Sequence, residues 1–207
     1  MAILKVYKFP DLVLSQKALP IEKIEKSFYQ LAEDMLETMY DAPGVGLAAN
    51  QVGILQRIIV IDTDYDLEEI LEGALPPKGA EILHGSVMKN KNPRVMINPV
   101  IALKEGTQLY KEGCLSVPEF TAEIKRAGKL KLQYQDLDGK SKTLLAEGLL
   151  AVAIQHEIDH LDGRLFIDRL SPLKKELVKK RLKQERRERE SGETEPEFSS
   201  KKKQKGF

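Results

Sequence analysis

The sequence predicts an α+β domain in which mixed or antiparallel strands surround a buried metal-binding helix, with an outer N-terminal helix and a C-terminal helix. Three observations lead there. Residues 149–154 are wholly apolar and run straight into Gln155-His156-Glu157-Ile158-Asp159-His160, a helix with almost no polar face that carries two imidazoles. Residues 57–62 and 94–99 read as strands, and 129–134 and 142–146 alternate on either side of Asp138-Gly139, a hairpin turn signal. Apolar residues at Ile24, Phe28, Leu31, Met35 and Met39 recur with helical spacing, as do Leu170, Leu173, Leu177, Val178 and Leu182 further on.

Length and composition set the domain count. A chain of 207 residues, 42% hydrophobic, suits one domain with a real core, predicted over 1–175, plus a charged helix and disordered tail over 176–207. The net charge of +1 hides an asymmetry: from Pro172 onward 13 Lys/Arg face 7 Asp/Glu, or +6, and residues 1–171 carry 20 against 25, or −5. No apolar run approaches the roughly 20 residues of a membrane span, and the first residues alternate like a strand, so no membrane partner is expected. Cys114 is the single cysteine, which excludes an internal disulfide and fits the reducing cytoplasm.

Taken in order, residues 1–20 read as a short strand and a loop punctuated by Pro10 and Pro20, and the first helix starts at Ile21 and closes before Asp41-Ala42-Pro43-Gly44. The following stretch, Gly44-Val45-Gly46-Leu47-Ala48-Ala49-Asn50-Gln51, is built of small residues that let a backbone come close to a strand or ligand. No phosphate-loop Lys follows it, and its glycine spacing is wrong for a dinucleotide fingerprint. Gln51, a lone amide there, is either a hydrogen-bonded core group or a placed donor. Residues 63–93, broken by four prolines and glycines within 73–79 and two more later, form a partly ordered insertion, in which His84 lacks neighbouring ligand types and is a surface residue. From Lys183 to Glu197 nothing apolar appears, so the tail frays.

The chemistry sits in the histidine helix. At about 100° per residue, His156 and His160 lie within about 40° of each other, one turn apart, and can reach one divalent ion. Glu157 flanks the pair and can reach a water at that ion, which is the content of the His-Glu-x-x-His pattern. Asp159, shorter and on the opposite flank, suits orienting a ligand or an ion pair. Cys114, in Glu112-Gly113-Cys114-Leu115-Ser116-Val117-Pro118, is either a small buried hydrophobe or a thiolate that adds a third ligand.

Together, the 44–51, 112–116 and 155–161 stretches resemble the peptide deformylases, which strip the N-formyl group from new bacterial proteins, over residues 1 to about 175. The resemblance implies Cys114, His156 and His160 as metal ligands, Glu157 as general base and acid, and Gln51 with the Leu115 backbone N–H as oxyanion donors. It implies Fe²⁺ as the native ion, with Zn²⁺, Ni²⁺ or Co²⁺ able to substitute. Gly46, Leu149, Val152 and Ala153 should lie near a methionine pocket, and the backbones around Val45 and Gly113 should clasp the peptide as an added strand. The expected partners are N-formylmethionyl nascent peptides and, through the basic tail, the ribosome. Two features depart from the compact members: the long 63–93 segment, and Phe120-Thr121 where a basic residue could have held a longer peptide.

Two other readings compete. A zinc endopeptidase shares His-Glu-x-x-His, but no third His or downstream Glu-bearing helix follows. A metal-stabilised ribosome-binding module would need a fourth protein ligand, and only three candidates are present. Six Phe, six Tyr and no Trp, scattered through core patterns, offer no aromatic platform for sequence-specific nucleic acid.

Overall fold

The computed structural model describes residues 2–70 and 76–191. The described residues fall into two compact units divided after Leu170.

The first unit is organised by the sheet β1-β2-β6-β9-β10, made of Gly46–Ala48, Ile58–Ile61, Arg94–Glu105, Lys129–Gln135 and Ser141–Glu147. Every ladder in it is antiparallel, and the parallel contribution is confined to an isolated bridge between Leu19 and Gln56. Successive strand residues point to opposite faces. Ile59, Ile61, Met96 and Leu132 therefore pack with Ala151, Ala153, Ile154 and Leu161 of helix α2 (Gly148–Leu161). Ile58, Val60, Leu47 and Ile97 pack with Ala32, Met35 and Met39 of helix α1 (Ser27–Asp41). Both faces are covered, which is why β2 is an unbroken apolar run rather than an alternating one.

Several boundaries differ from the sequence reading. Residues 2–20 form no strand: Asp11 caps a 3-10 turn, Leu12–Ser15, and competes with extended pairing. The first helix begins at Ser27, six residues later than expected, because Ile21 is tied by its backbone to both ends of the Asn98 amide, at 2.9 and 2.8 Å. Strand β6 does not stop at Pro99; it continues to Glu105 past a register shift, with Asn98 at φ 50°. The motif around Cys114 is itself a hairpin, β7 (Gln108–Cys114) with β8 (Val117–Arg126).

The 63–93 segment carries a small antiparallel sheet of its own, order β3-β5-β4, from Asp66–Glu69, Ser86–Lys89 and Ile82–Leu83. His84 sits on it largely exposed, with Nε2 at 2.6 Å from the Asp41 carbonyl.

Among its described residues the second unit holds one helix, α3 (Pro172–Ser191), with Arg181–Glu185 paired one turn apart at 2.6 Å. The expected disorder beyond it lies outside the described residues. No helix among the described residues is long and apolar enough to cross a membrane.

Candidate metal centre and catalytic cleft

Helix α2 is buried from Ala151 through Glu157 and again from Asp159 to Leu161, so its polar groups need partners inside the domain. Each histidine finds the other and the thiol. The Nε2 atoms of His156 and His160 are 3.2 Å apart, and Cys114 Sγ lies 3.2 Å from His160 Nε2. All three ligand atoms fall within 4.8 Å of one another. A tetrahedral ion with metal–nitrogen bonds of about 2.05 Å separates two imidazole nitrogens by about 3.3 Å. The donor set and its spacing therefore fit a divalent ion.

The tautomer fits as well. His156 Nδ1 donates to Glu112 Oε2 at 2.8 Å, which leaves the lone pair on Nε2, facing Cys114 and His160. Its ring stacks on Phe166 at 5.9 Å, and Phe166 on Phe120 at 6.0 Å. Burial alone would push His156 down, but the Cys114 sulfur and Glu112 outweigh it and hold its pKa well above the ordinary value. Burial and then the neighbouring His156 push His160 well down. Metal binding at such a site needs both imidazoles to present an unprotonated nitrogen.

Behind the candidate ligands lies a buried ion network. Burial would raise Glu112, yet hydrogen bonds from Arg126 and His156 bring its pKa to about 2. Arg126 grips Glu112 through Nε at 2.6 Å and Nη2 at 2.8 Å, and reaches Asp159 Oδ2 through Nη1 at 2.5 Å. Arg169 closes the other side of Asp159 with two bonds of 2.6 Å. Asp159 therefore makes the ion pair its position on the helix suggested. Gln155 spans to the end of β8, bonding both the N–H and the carbonyl of Ala127 at 3.1 Å.

Glu157 is buried, and among the described residues its Oε2 has no hydrogen-bond partner. Burial pushes its pKa up to about 7. An unpaired carboxylate oxygen beside three ligand atoms is a proton acceptor without a protein donor. Gln51 is oriented by its own network. Ala48 N–H donates to Oε1 at 2.9 Å, and Nε2 is thereby turned to Ser116 Oγ at 3.2 Å and Cys114 Sγ at 3.7 Å.

These groups open onto a cleft of about 380 Å³. It collects Val45, Gly46, Gln51, Gly113, Cys114, Leu115, Leu149, Val152, Ala153, His156 and Glu157, all named from the sequence; His160 lies behind them at the ligand cluster. The sequence reading missed the structural parts of Glu112, Arg126, Arg169, Ser116 and Phe166, and it missed Tyr110, which also lines the cleft. Glu112 could have been found, being two residues from a candidate thiolate ligand; a lone Arg126 in a charged strand carries no local signal.

Comparison with known proteins agrees with this arrangement. The polypeptide deformylase family model matches residues 3–176. Peptide deformylase 2 of Xanthomonas axonopodis pv. citri (strain 306) is 44% identical over 90% of this chain and 98% of its own length. The peptide deformylase of Xylella fastidiosa (strain 9a5c) is 46% identical over the same shares. Among solved structures, a Legionella pneumophila peptide deformylase superposes with a TM-score of 0.72 at 38% identity, covering 91% of this chain and 98% of that one. The Ehrlichia chaffeensis enzyme in complex with actinonin gives 0.74 at 35%, covering 90% and 99%. With a whole-domain match in sequence and fold, and a Cys-His-His cluster beside an unpaired buried glutamate, the chain belongs to the polypeptide deformylase family.

Proposed function

We propose that this protein is a metal-dependent hydrolase that removes the N-formyl group from the N-terminal formyl-methionine of newly made proteins. The observation that carries the reading is the unpaired carboxylate of Glu157 at the edge of the Cys114-His156-His160 cluster.

A divalent ion held by those three side chains supplies Lewis acidity toward water and the formyl oxygen. Glu157, with its pKa near neutrality, takes a proton from the attacking water and returns it to the leaving nitrogen. Gln51 Nε2, turned toward the Cys114 sulfur, and the Leu115 backbone N–H donate to the oxygen on which charge grows; one such donor is worth about 3 kcal/mol. The methionine side chain enters among Gly46, Leu149, Val152 and Ala153, and the peptide lies between the backbones of Val45 and Gly113 on the two sides of the cleft.

Family resemblance supports Fe²⁺ as the native ion, and a soft thiolate with two imidazoles also suits Zn²⁺, Ni²⁺ or Co²⁺. The single cysteine supports action in the cytoplasm, and the basic C-terminal region supports encounter with the ribosome, where nascent formylated chains emerge. The test is formate release from a formyl-Met tripeptide by the metal-loaded protein, beside endoproteolysis of an unformylated peptide. Formate release abolished by a chelator and restored by metal is expected; cleavage of internal peptide bonds without deformylation overturns the reading.

A further inference from the structure

The wall of the cleft formed by residues 44–46 is held from behind, at two successive carbonyls. Asp62 N–H donates to the Val45 carbonyl at 3.0 Å, and the Tyr65 hydroxyl donates to the Gly44 carbonyl at 3.1 Å. Both donors come from the start of the 63–93 insertion or the residue before it.

Asp62 is fully buried, and three groups converge on its carboxylate: Tyr40 Oη at 2.6 Å, Asp64 N–H at 3.0 Å and Asn92 N–H at 2.8 Å. The two ends of the insertion, at Asp64 and Asn92, thus meet on one side chain. Around it the Tyr40 and Tyr65 rings meet edge-on at 5.1 Å, and Lys91 Nζ sits 4.4 Å from the Tyr40 ring centroid. Lys91 is in turn paired with Glu81 at 2.9 Å, and His84 reaches the Asp41 carbonyl at 2.6 Å. Through these described residues the insertion is fastened to the end of α1 and to the back of the wall.

We propose that Tyr65 is a positioning residue for the peptide-binding wall, and that the 63–93 insertion serves to hold it against the Gly44 carbonyl. The physical need is plain in the wall itself. Val45 is flanked by Gly44 and Gly46, so the backbone there is the least constrained part of the cleft by its own sequence. Removing the Tyr65 hydroxyl frees one of the two pinned carbonyls. The wall is then held only by Asp62, by the Gly44 N–H bond to the Met39 carbonyl at 2.9 Å and by the β1–β2 ladder, so the bound peptide must fix the Gly44 carbonyl itself and the loss appears in binding rather than in the chemical step.

This inference rests on the reading of residues 44–46 as the wall that clasps the peptide. Its test is Tyr65→Phe, which keeps the ring against Tyr40 and removes only the hydroxyl. With the zinc-loaded protein and a formyl-Met tripeptide, KM is expected to rise about three- to tenfold while kcat stays within about twofold. Calorimetric affinity for the unformylated Met tripeptide should weaken by a similar factor, and a formyl-Met amide lacking the two later residues should change less. Unchanged KM and affinity overturn the proposal, and so does a fall in kcat at constant KM. If the parent protein releases no formate, the deformylase reading fails; if the parent is active and Tyr65→Phe equals it in all three measurements, only this proposal fails.

Discussion

Gly46 and Glu157 are in such close approach that a Cβ added to Gly46 would lie 2.5 Å from Glu157 Oε1. A side chain at Gly46 would displace that of Glu157, so the carboxylate proposed as the acid–base group lies against backbone rather than a side chain. Its Oε2 is buried without a hydrogen-bond partner among the described residues. A carboxylate that no protein donor claims is what a proton shuttle needs.

Gly46→Ala should therefore turn Glu157 aside without touching the metal ligands. We expect kcat to fall about 10- to 100-fold, as misplacement of a reacting group by about an ångström commonly costs, with metal content unchanged. Steady-state kinetics on metal-matched protein checks this. A kcat within twofold of the parent would mean the side chain has room that the geometry denies.

The depressed pKa of Glu112 makes a statement about acid stability. Its folded value is about 2 against an ordinary 4.5, so its contribution is fully present above about pH 4.5 and is lost as pH falls toward 2. Glu112→Gln has no proton to take up and should lose less stability on acidification. Between pH 5 and pH 3 the parent's stability advantage over the variant should shrink by about 2 kcal/mol in the metal-free protein. Urea unfolding of both proteins at the two pH values measures it; an advantage that stays constant would show that Arg126 and His156 do not stabilise the carboxylate.

Arg126 is completely buried between two carboxylates, from β7 and α2. Arg126→Ala leaves Glu112 without its guanidinium and Asp159 with Arg169 alone. Breaking a buried pair in this way typically costs about 3–5 kcal/mol. Denaturant unfolding should show a loss of that size, accompanied by weaker Co²⁺ retention as His156 loses its fixed orientation. A loss under 1 kcal/mol would mean the network is dispensable.

What was legible in the sequence is what rests on short-range periodicity. The spacing of His156 and His160, the flanking place of Glu157, the small-residue run at 44–51 and the Asp138-Gly139 hairpin can all be read locally, and the structure brings the residues together as that reading implied. The β7–β8 hairpin went unread although Phe120, Ala122 and Ile124 alternate with polar and charged residues, because Gly113 and Pro118 interrupt the run on either side of the turn. Asn98-Pro99 looks like a strand end, yet the strand resumes once its register has shifted. The Arg126 network joins residues 14 and 33 apart in sequence to a helix they do not resemble, so only the fold reveals it. The 63–93 segment is rich in turns and, among its described residues, has no core of its own; Met88 and Leu83 pack it into the cluster around Met35 and Met39, and its polar anchors fall on Asp62, Tyr40 and Asp41.

Whether Glu157 is the base is decided by the rate of formate release from a formyl-Met tripeptide by Glu157→Gln, compared with the parent at equal metal content. An amide of the same shape cannot accept the proton from water, so the variant should keep its metal and lose nearly all turnover, by about 10²- to 10⁴-fold. Retention of activity within tenfold of the parent would place the base elsewhere in the cleft.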